Sequence, residues 1–128
     1  KGIEVVKPGA TLGDIGHAIQ SYVTPFRYSI VRDFCGHGLG RVFHDAPNIL
    51  HFGNPGEGAV LREGMFFTIE PMINIGRYQG IVDPLDNWTV RTIDGKLSAQ
   101  FEHTLLMTED GPEILTATED GPKFGHQF

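Results

Sequence analysis

Apolar positions recur along this chain with two periods. Behind Pro8-Gly9, the residues Leu12, Ile15, Ile19 and Tyr22 are spaced as on one face of a helix, and Thr11 with Asp14 three positions on forms a cap pair in which Asp replaces the usual Glu. The spacing predicts a helix over residues 11–23, stopped by Pro25. His17 lies off the apolar stripe and reads as a solvated helix residue. Beyond the helix the period shortens. "YSIVRDF" is a candidate short strand, "PNILHF" a second apolar segment closed by the loop "GNPGEG", and "GMFFTIEPMINIG" a strand ended by Pro71, which cannot donate to a ladder. The stretch "WTVRTI", Asp94-Gly95, "LSAQFEHTLLMT" carries the strongest hairpin signal. "GPEILTAT" adds a last strand, and "EDGPKFGHQF" reads as a mobile tail. One helix followed by several strands predicts an α+β fold.

Strand parity then makes two acids conspicuous. In "FFTIEP" the side chains of Phe66, Thr68 and Glu70 share one face, and those of Met65, Phe67 and Ile69 share the other. In "SAQFEHTLLM" the residues Ser98, Gln100, Glu102 and Thr104 fall on one face, which is polar where a core strand should be apolar. A buried carboxylate has to be paired, protonated or bound to a cation, because desolvating a lone charge costs several kcal/mol. Each acid alone could reach solvent or an arginine such as Arg91. Two of them, together with His37 in the glycine-rich "CGHGLGRVFHDAP", are better explained by a shared cation. Imidazole with carboxylates suits Zn, Mn, Fe or Co, and the lack of thiolate clusters argues against a structural zinc.

Composition narrows the rest. At 128 residues the chain is the size of one domain, and a net charge of −6 removes the electrostatic reason to expect a nucleic-acid partner. The apolar runs are too short to span a bilayer, so no membrane role is expected. The single cysteine, Cys35, cannot form an intrachain disulfide, and its expected role is packing. With no signal segment legible at the N-terminus, the expected compartment is the cytoplasm.

The segments "CGHGLGRVFHDAPNILHF", "GMFFTIEPM", "WTV" and "SAQFEHT", in this order and at this spacing, resemble type I methionine aminopeptidases, and the likeness runs from "VKPGATLGDIG" to "EIL". The resemblance implies a pita-bread fold, two pseudo-symmetric αβ halves around a dinuclear metal centre (Co, Mn, Fe or Zn), and removal of the N-terminal methionine from nascent proteins. Carried over by position, it implies that His37 and Glu70 ligate one metal and that Glu102 bridges the two. It further implies that His44 contacts the scissile carbonyl, that Phe43 and Trp88 wall the methionine pocket, and that Gln100 lies behind the site near His44. The implied reaction is hydrolysis of the first peptide bond by a metal-activated water, with Glu70 as general base and His44 stabilising the developing oxyanion.

One departure from the pattern bears on all of this. The resemblance implies two aspartate ligands and a further histidine in a preceding half of the domain. Asp14, Asp33, Asp45, Asp83, Asp86 and Asp94 do not replace them, since none stands on a predicted strand with ligand parity. Two divalent ions bring four positive charges, and Glu70 and Glu102 return two. Residues 1–128 therefore read as the C-terminal half of the catalytic domain, with the other half as its partner, and alone they are expected to be inactive. Two other readings stay open: a pita-bread module without catalysis, and a sister peptidase that cleaves before proline.

Overall fold

The computed structural model describes residues 1–121; most of the segment expected to be a mobile tail lies outside the described residues. The predicted helix is present as α1 (Leu12–Val23). Its first turn is closed by a full capping box: the Thr11 hydroxyl accepts the Asp14 N–H at 3.3 Å, and the Asp14 carboxylate accepts the Thr11 N–H at 2.7 Å. Asp14 also accepts the Gly56 N–H at 2.9 Å, tying the helix start to the loop after residue 53. Leu12, Ile15, Gly16, Ile19 and Val23 form the buried stripe. Tyr22, predicted on that stripe, is 49% exposed and packs its ring on Phe26, so Val23, four positions after Ile19, takes its place. Pro25 stands in the 3-10 turn Thr24–Phe26 that follows. His17 is exposed, as expected, with Ser21 Oγ at 3.2 Å.

Among the described residues ten short strands follow: β1 (Ser29–Ile30), β2 (Gly36–Leu39), β3 (Asp45–Ile49), β4 (Phe66–Ile69), β5 (Met72–Asn74), β6 (Gly80–Val82), β7 (Val90–Thr92), β8 (Ser98–Gln100), β9 (His103–Thr108) and β10 (Gly111–Ile114). Five of them make an antiparallel sheet in the order β10-β9-β4-β2-β3, and β1-β5-β8 make a second of three. The helix covers one face of the larger sheet. Ile15 and Ile19 share a cluster with Ile49, Leu61, Phe67, Ile69, Leu105 and Met107, each fully buried side chain contributing about 1.5–3 kcal/mol. The parity predicted for β4 holds, since Phe67 and Ile69 are in this cluster and the opposite face carries Thr68 and Glu70.

The predicted hairpin about Asp94-Gly95 is not formed, and this corrects the sequence reading. The turn exists: Gly95 N–H donates to Thr92 O at 3.1 Å, with Gly95 at φ 67°. Its flanks go to different partners, β7 to β6 and β8 to β5. The β6–β7 pair is closed by a polar loop that the hairpin signal obscured. In it Asp83 N–H donates to Thr89 O at 2.7 Å, and the Asp86 carboxylate accepts from the Trp88 and Thr89 backbone and from the Thr89 hydroxyl. Trp88 therefore sits on a loop and not on a ladder facing Glu102.

Candidate metal centre

β2 lies close against β4 on one side and β3 on the other because two glycines permit it. A Cβ on Gly36 would collide with the Thr68 carbonyl oxygen, and one on Gly38 with that of Ala46 across the β2–β3 pair. This close approach puts His37, buried on β2, beside the end of β4. Its backbone N–H donates to Thr68 Oγ1 at 3.0 Å. Its Nδ1 lies 2.9 Å from Gly38 O, and since a carbonyl only accepts, Nδ1 carries the proton. Its Nε2 lies 3.7 Å from Glu70 Oε1.

Glu70 is held at four points. Thr68 Oγ1 donates to Oε1 at 2.6 Å, and Gln100 Nε2 approaches both the backbone carbonyl (3.2 Å) and Oε2 (3.4 Å). The Glu70 N–H donates to Nε2 of His51 at 3.1 Å. His51 is 2% exposed, and burial pushes its pKa down to about 4, so it is a neutral acceptor. Neither Thr68 nor His51 was singled out from the sequence. Their signals were a hydroxyl on the Glu70 face of the strand and a polar residue inside the apolar run "PNILHF".

The loop between β2 and β3 brings His44 and Phe43 to the same place. The rings of His37 and His44 are 4.4 Å apart and edge-on, and Phe43 stands 4.6 Å from His44. Phe43 is 68% exposed and Trp88 85%. Glu102 lies between β8 and β9 and is exposed. Its position follows from register. The β4–β9 pair runs from Phe66↔Leu106 to Ile69↔His103, and the β5–β8 pair resumes at Met72↔Gln100 in the same register, which leaves Glu102 opposite Glu70.

The remaining acids serve elsewhere. Asp14, Asp86 and Asp94 accept backbone N–H groups that hold their carboxyls below the usual range, the Thr89 hydroxyl being the largest influence on Asp86. Asp83 pairs with Arg91 at 3.7 Å, so Arg91 is engaged away from the glutamates. Cys35 is half-buried, and burial followed by the charge of Glu70 raises its thiol pKa, the reverse of what a nucleophile needs.

Among the described residues no group of three or more His, Cys, Asp or Glu side chains is gathered tightly enough to hold a metal ion. His37 and Glu70 form a pair, and the pair fits one. A neutral imidazole nitrogen and a carboxylate oxygen, each about 2 Å from a common ion, would stand slightly closer than the observed 3.7 Å. No helix among the described residues is long and apolar enough to cross a membrane.

Known proteins match this chain over almost all of its length. A methionine aminopeptidase of Rickettsia prowazekii is 65% identical over 116 residues, 91% of this chain and 45% of the relative. The crystal structure of methionine aminopeptidase from Rickettsia prowazekii superposes with a TM-score of 0.89 at 64% identity, covering 91% of this chain and 47% of that one. Prolidase from Pyrococcus furiosus is more distant, with a TM-score of 0.63 at 29% identity over 92% of this chain and 29% of its own. The chain thus spans less than half the length of the relatives it matches and has the pita-bread architecture of their matching part. The family model described as metallopeptidase family M24 matches residues 1–109, and the chain belongs to that family.

Proposed function

We propose that this chain supplies the His37, Glu70 and Glu102 side of a dinuclear metal centre that removes N-terminal methionine from peptides and nascent proteins. The observation that carries the reading is the approach of His37 Nε2 to Glu70 Oε1 at 3.7 Å, with Glu102 opposite in register. An imidazole nitrogen and carboxylates brought together in this way are the donor set that suits a divalent ion. His37, Glu70 and Glu102 would hold divalent ions, Co, Mn, Fe or Zn, which would supply Lewis acidity and lower the pKa of a water. Glu70, fixed by Thr68, Gln100 and His51, offers its carboxylate as the proton acceptor. His44, with its ring 4.4 Å from that of His37, donates toward the oxygen on which negative charge develops. Phe43 and Trp88 offer apolar surface for the methionine side chain. Two carboxylates neutralise half the charge of two divalent ions, so the remaining ligands come from outside residues 1–128.

The methionine reading is favoured over a proline-directed one by the higher identity and closer superposition of the methionine aminopeptidase. Nascent chains place the expected activity in the cytoplasm. The test is a chimera in which this chain replaces the matching segment of the Rickettsia prowazekii enzyme. It should hydrolyse Met-Ala-Ser but not Ala-Pro, lose activity to a chelator, and fall by about 10³-fold or more with Glu70→Gln. Preference for Ala-Pro would install the proline-directed reading, and inactivity of a folded, metal-loaded chimera would favour a non-catalytic module.

A further inference from the structure

Thr68 is buried to 1% exposure in β4, two residues before Glu70, and its hydroxyl has two neighbours. The His37 N–H donates to Oγ1 at 3.0 Å, and Glu70 Oε1 lies 2.6 Å from it. These two contacts leave no freedom in the direction of the hydroxyl proton. A backbone N–H can only donate, so Oγ1 accepts there; a carboxylate can only accept, so the hydroxyl proton points to Glu70. The distance of 2.6 Å is that of a charge-assisted bond, roughly twice as strong as a neutral one. One buried hydroxyl thus joins the backbone of one proposed ligand to the carboxylate of the other.

The bond selects a rotamer. A carboxylate oxygen has two lone pairs; the Thr68 hydroxyl takes one on Oε1, the same oxygen that lies 3.7 Å from His37 Nε2, and a second remains for another partner. Gln100 meets the opposite oxygen, at the longer distance of 3.4 Å. Gly36 completes the arrangement, because a Cβ there would stand 3.0 Å from Oγ1 and push the hydroxyl away.

We propose that Thr68 is a positioning residue of the metal centre, whose hydroxyl locks His37 and Glu70 into one unit so that both acceptors face the same ion before it binds. The role acts through Glu70 and rests on the metal-site reading above. Without the hydroxyl, the His37 N–H loses its acceptor and Glu70 has to be ordered when the ion arrives, which weakens binding.

The test is titration with Co(II) of the chimera described above, in which the remaining ligands are present, read by visible absorption and calorimetry, with this chain's wild-type sequence and with Thr68→Val, Thr68→Ser and Glu70→Gln. The expected result is affinity about 10–100-fold weaker for Val and within about twofold of wild type for Ser. The Val change should add little in the Glu70→Gln background. Where Val fails to fold by near-ultraviolet circular dichroism, Thr68→Ala takes its place under the same criteria. Wild-type affinity in Val or Ala, or equal loss in Ser and Val, would overturn the role of the hydroxyl while leaving the metal site standing. A wild type that does not bind Co(II), or a Glu70→Gln variant that binds as the wild type does, would remove the metal-site reading and this role with it.

Discussion

Glu70 and Glu102 fall opposite each other in the gap between two ladders of one register, the position at which the strands stop pairing. The gap has a local cause. The Glu70 N–H is taken by the His51 ring and its carbonyl by the Gln100 side chain, and Pro71 has no N–H to offer. Two like charges directly opposed across strands are destabilising by about 0.2–1 kcal/mol when nothing lies between them. Glu102→Gln should therefore raise the stability of the metal-free chain by that amount while weakening Co(II) binding by the chimera about 10-fold or more. Urea midpoints of the chain in chelator and Co(II) titrations of the chimera read the two effects. A lower midpoint would mean that the Glu102 carboxylate has a stabilising partner in the metal-free fold.

Gly36 tests the packing that brings the ligands together. A methyl group there meets backbone of the neighbouring strand, and backbone cannot swing aside as a flexible side chain does. Gly36→Ala should cost about 1–3 kcal/mol by overpacking and move His37 from Glu70. Gly9→Ala is the contrast: its Cβ meets nothing, and only the left-handed backbone, φ 86°, opposes it. The site change should weaken Co(II) binding and the Gly9 change should not. Equal effects on metal affinity would show that Gly36 serves general stability only.

How far the sequence reveals this molecule depends on how local each determinant is. The cap pair Thr11–Asp14 and the apolar stripe lie within a few residues of each other, and α1 matches its predicted extent within one residue at its start. Parity on β4 was equally local, and it separated Glu70 from the core residues Phe67 and Ile69. The hairpin failed because Asp94-Gly95 specifies a turn but not the partners of the strands that leave it. Those are set by the Asp83 and Asp86 loop on one side and by β5 on the other. Thr68 and His51 were passed over for a related reason: a buried hydroxyl or imidazole looks like any strand residue until the group it bonds is known. The resemblance implies ligand roles for His37, Glu70 and Glu102, and the structure shows what holds Glu70 still.

His103 adjoins Glu102 and should nonetheless leave metal binding alone. It pairs with Ile69 on the core side of β9, and its Nδ1 lies 2.8 Å from the Thr116 hydroxyl. His103→Gln keeps a hydrogen-bonding group of similar reach. Co(II) affinity should stay within about twofold of wild type, against a loss of about 10-fold or more for Glu102→Gln. Comparable losses would break the assignment of the two neighbours to opposite faces.

His51 gives the fold a pH dependence whose sign follows from burial. Its pKa is lowered from 6.5 to about 4, so the folded state favours the neutral ring that accepts the Glu70 N–H. The unfolded chain binds a proton near pH 6.5 and the folded chain near 4. Above 6.5 neither state is protonated, and the full contribution is present. As pH falls from 6.5 toward 4 the unfolded state gains a proton that the folded one refuses, and stability drops, by about 3 kcal/mol across that window. Carboxylates add slopes of their own lower down, so the measurement is a difference. His51→Gln keeps an acceptor for the Glu70 N–H and does not titrate. Urea midpoints of the metal-free protein from pH 7 to 4.5 should fall more steeply in the wild type than in His51→Gln, with the two curves diverging above pH 5. Parallel curves would mean that His51 reaches solvent and takes up its proton in the folded state.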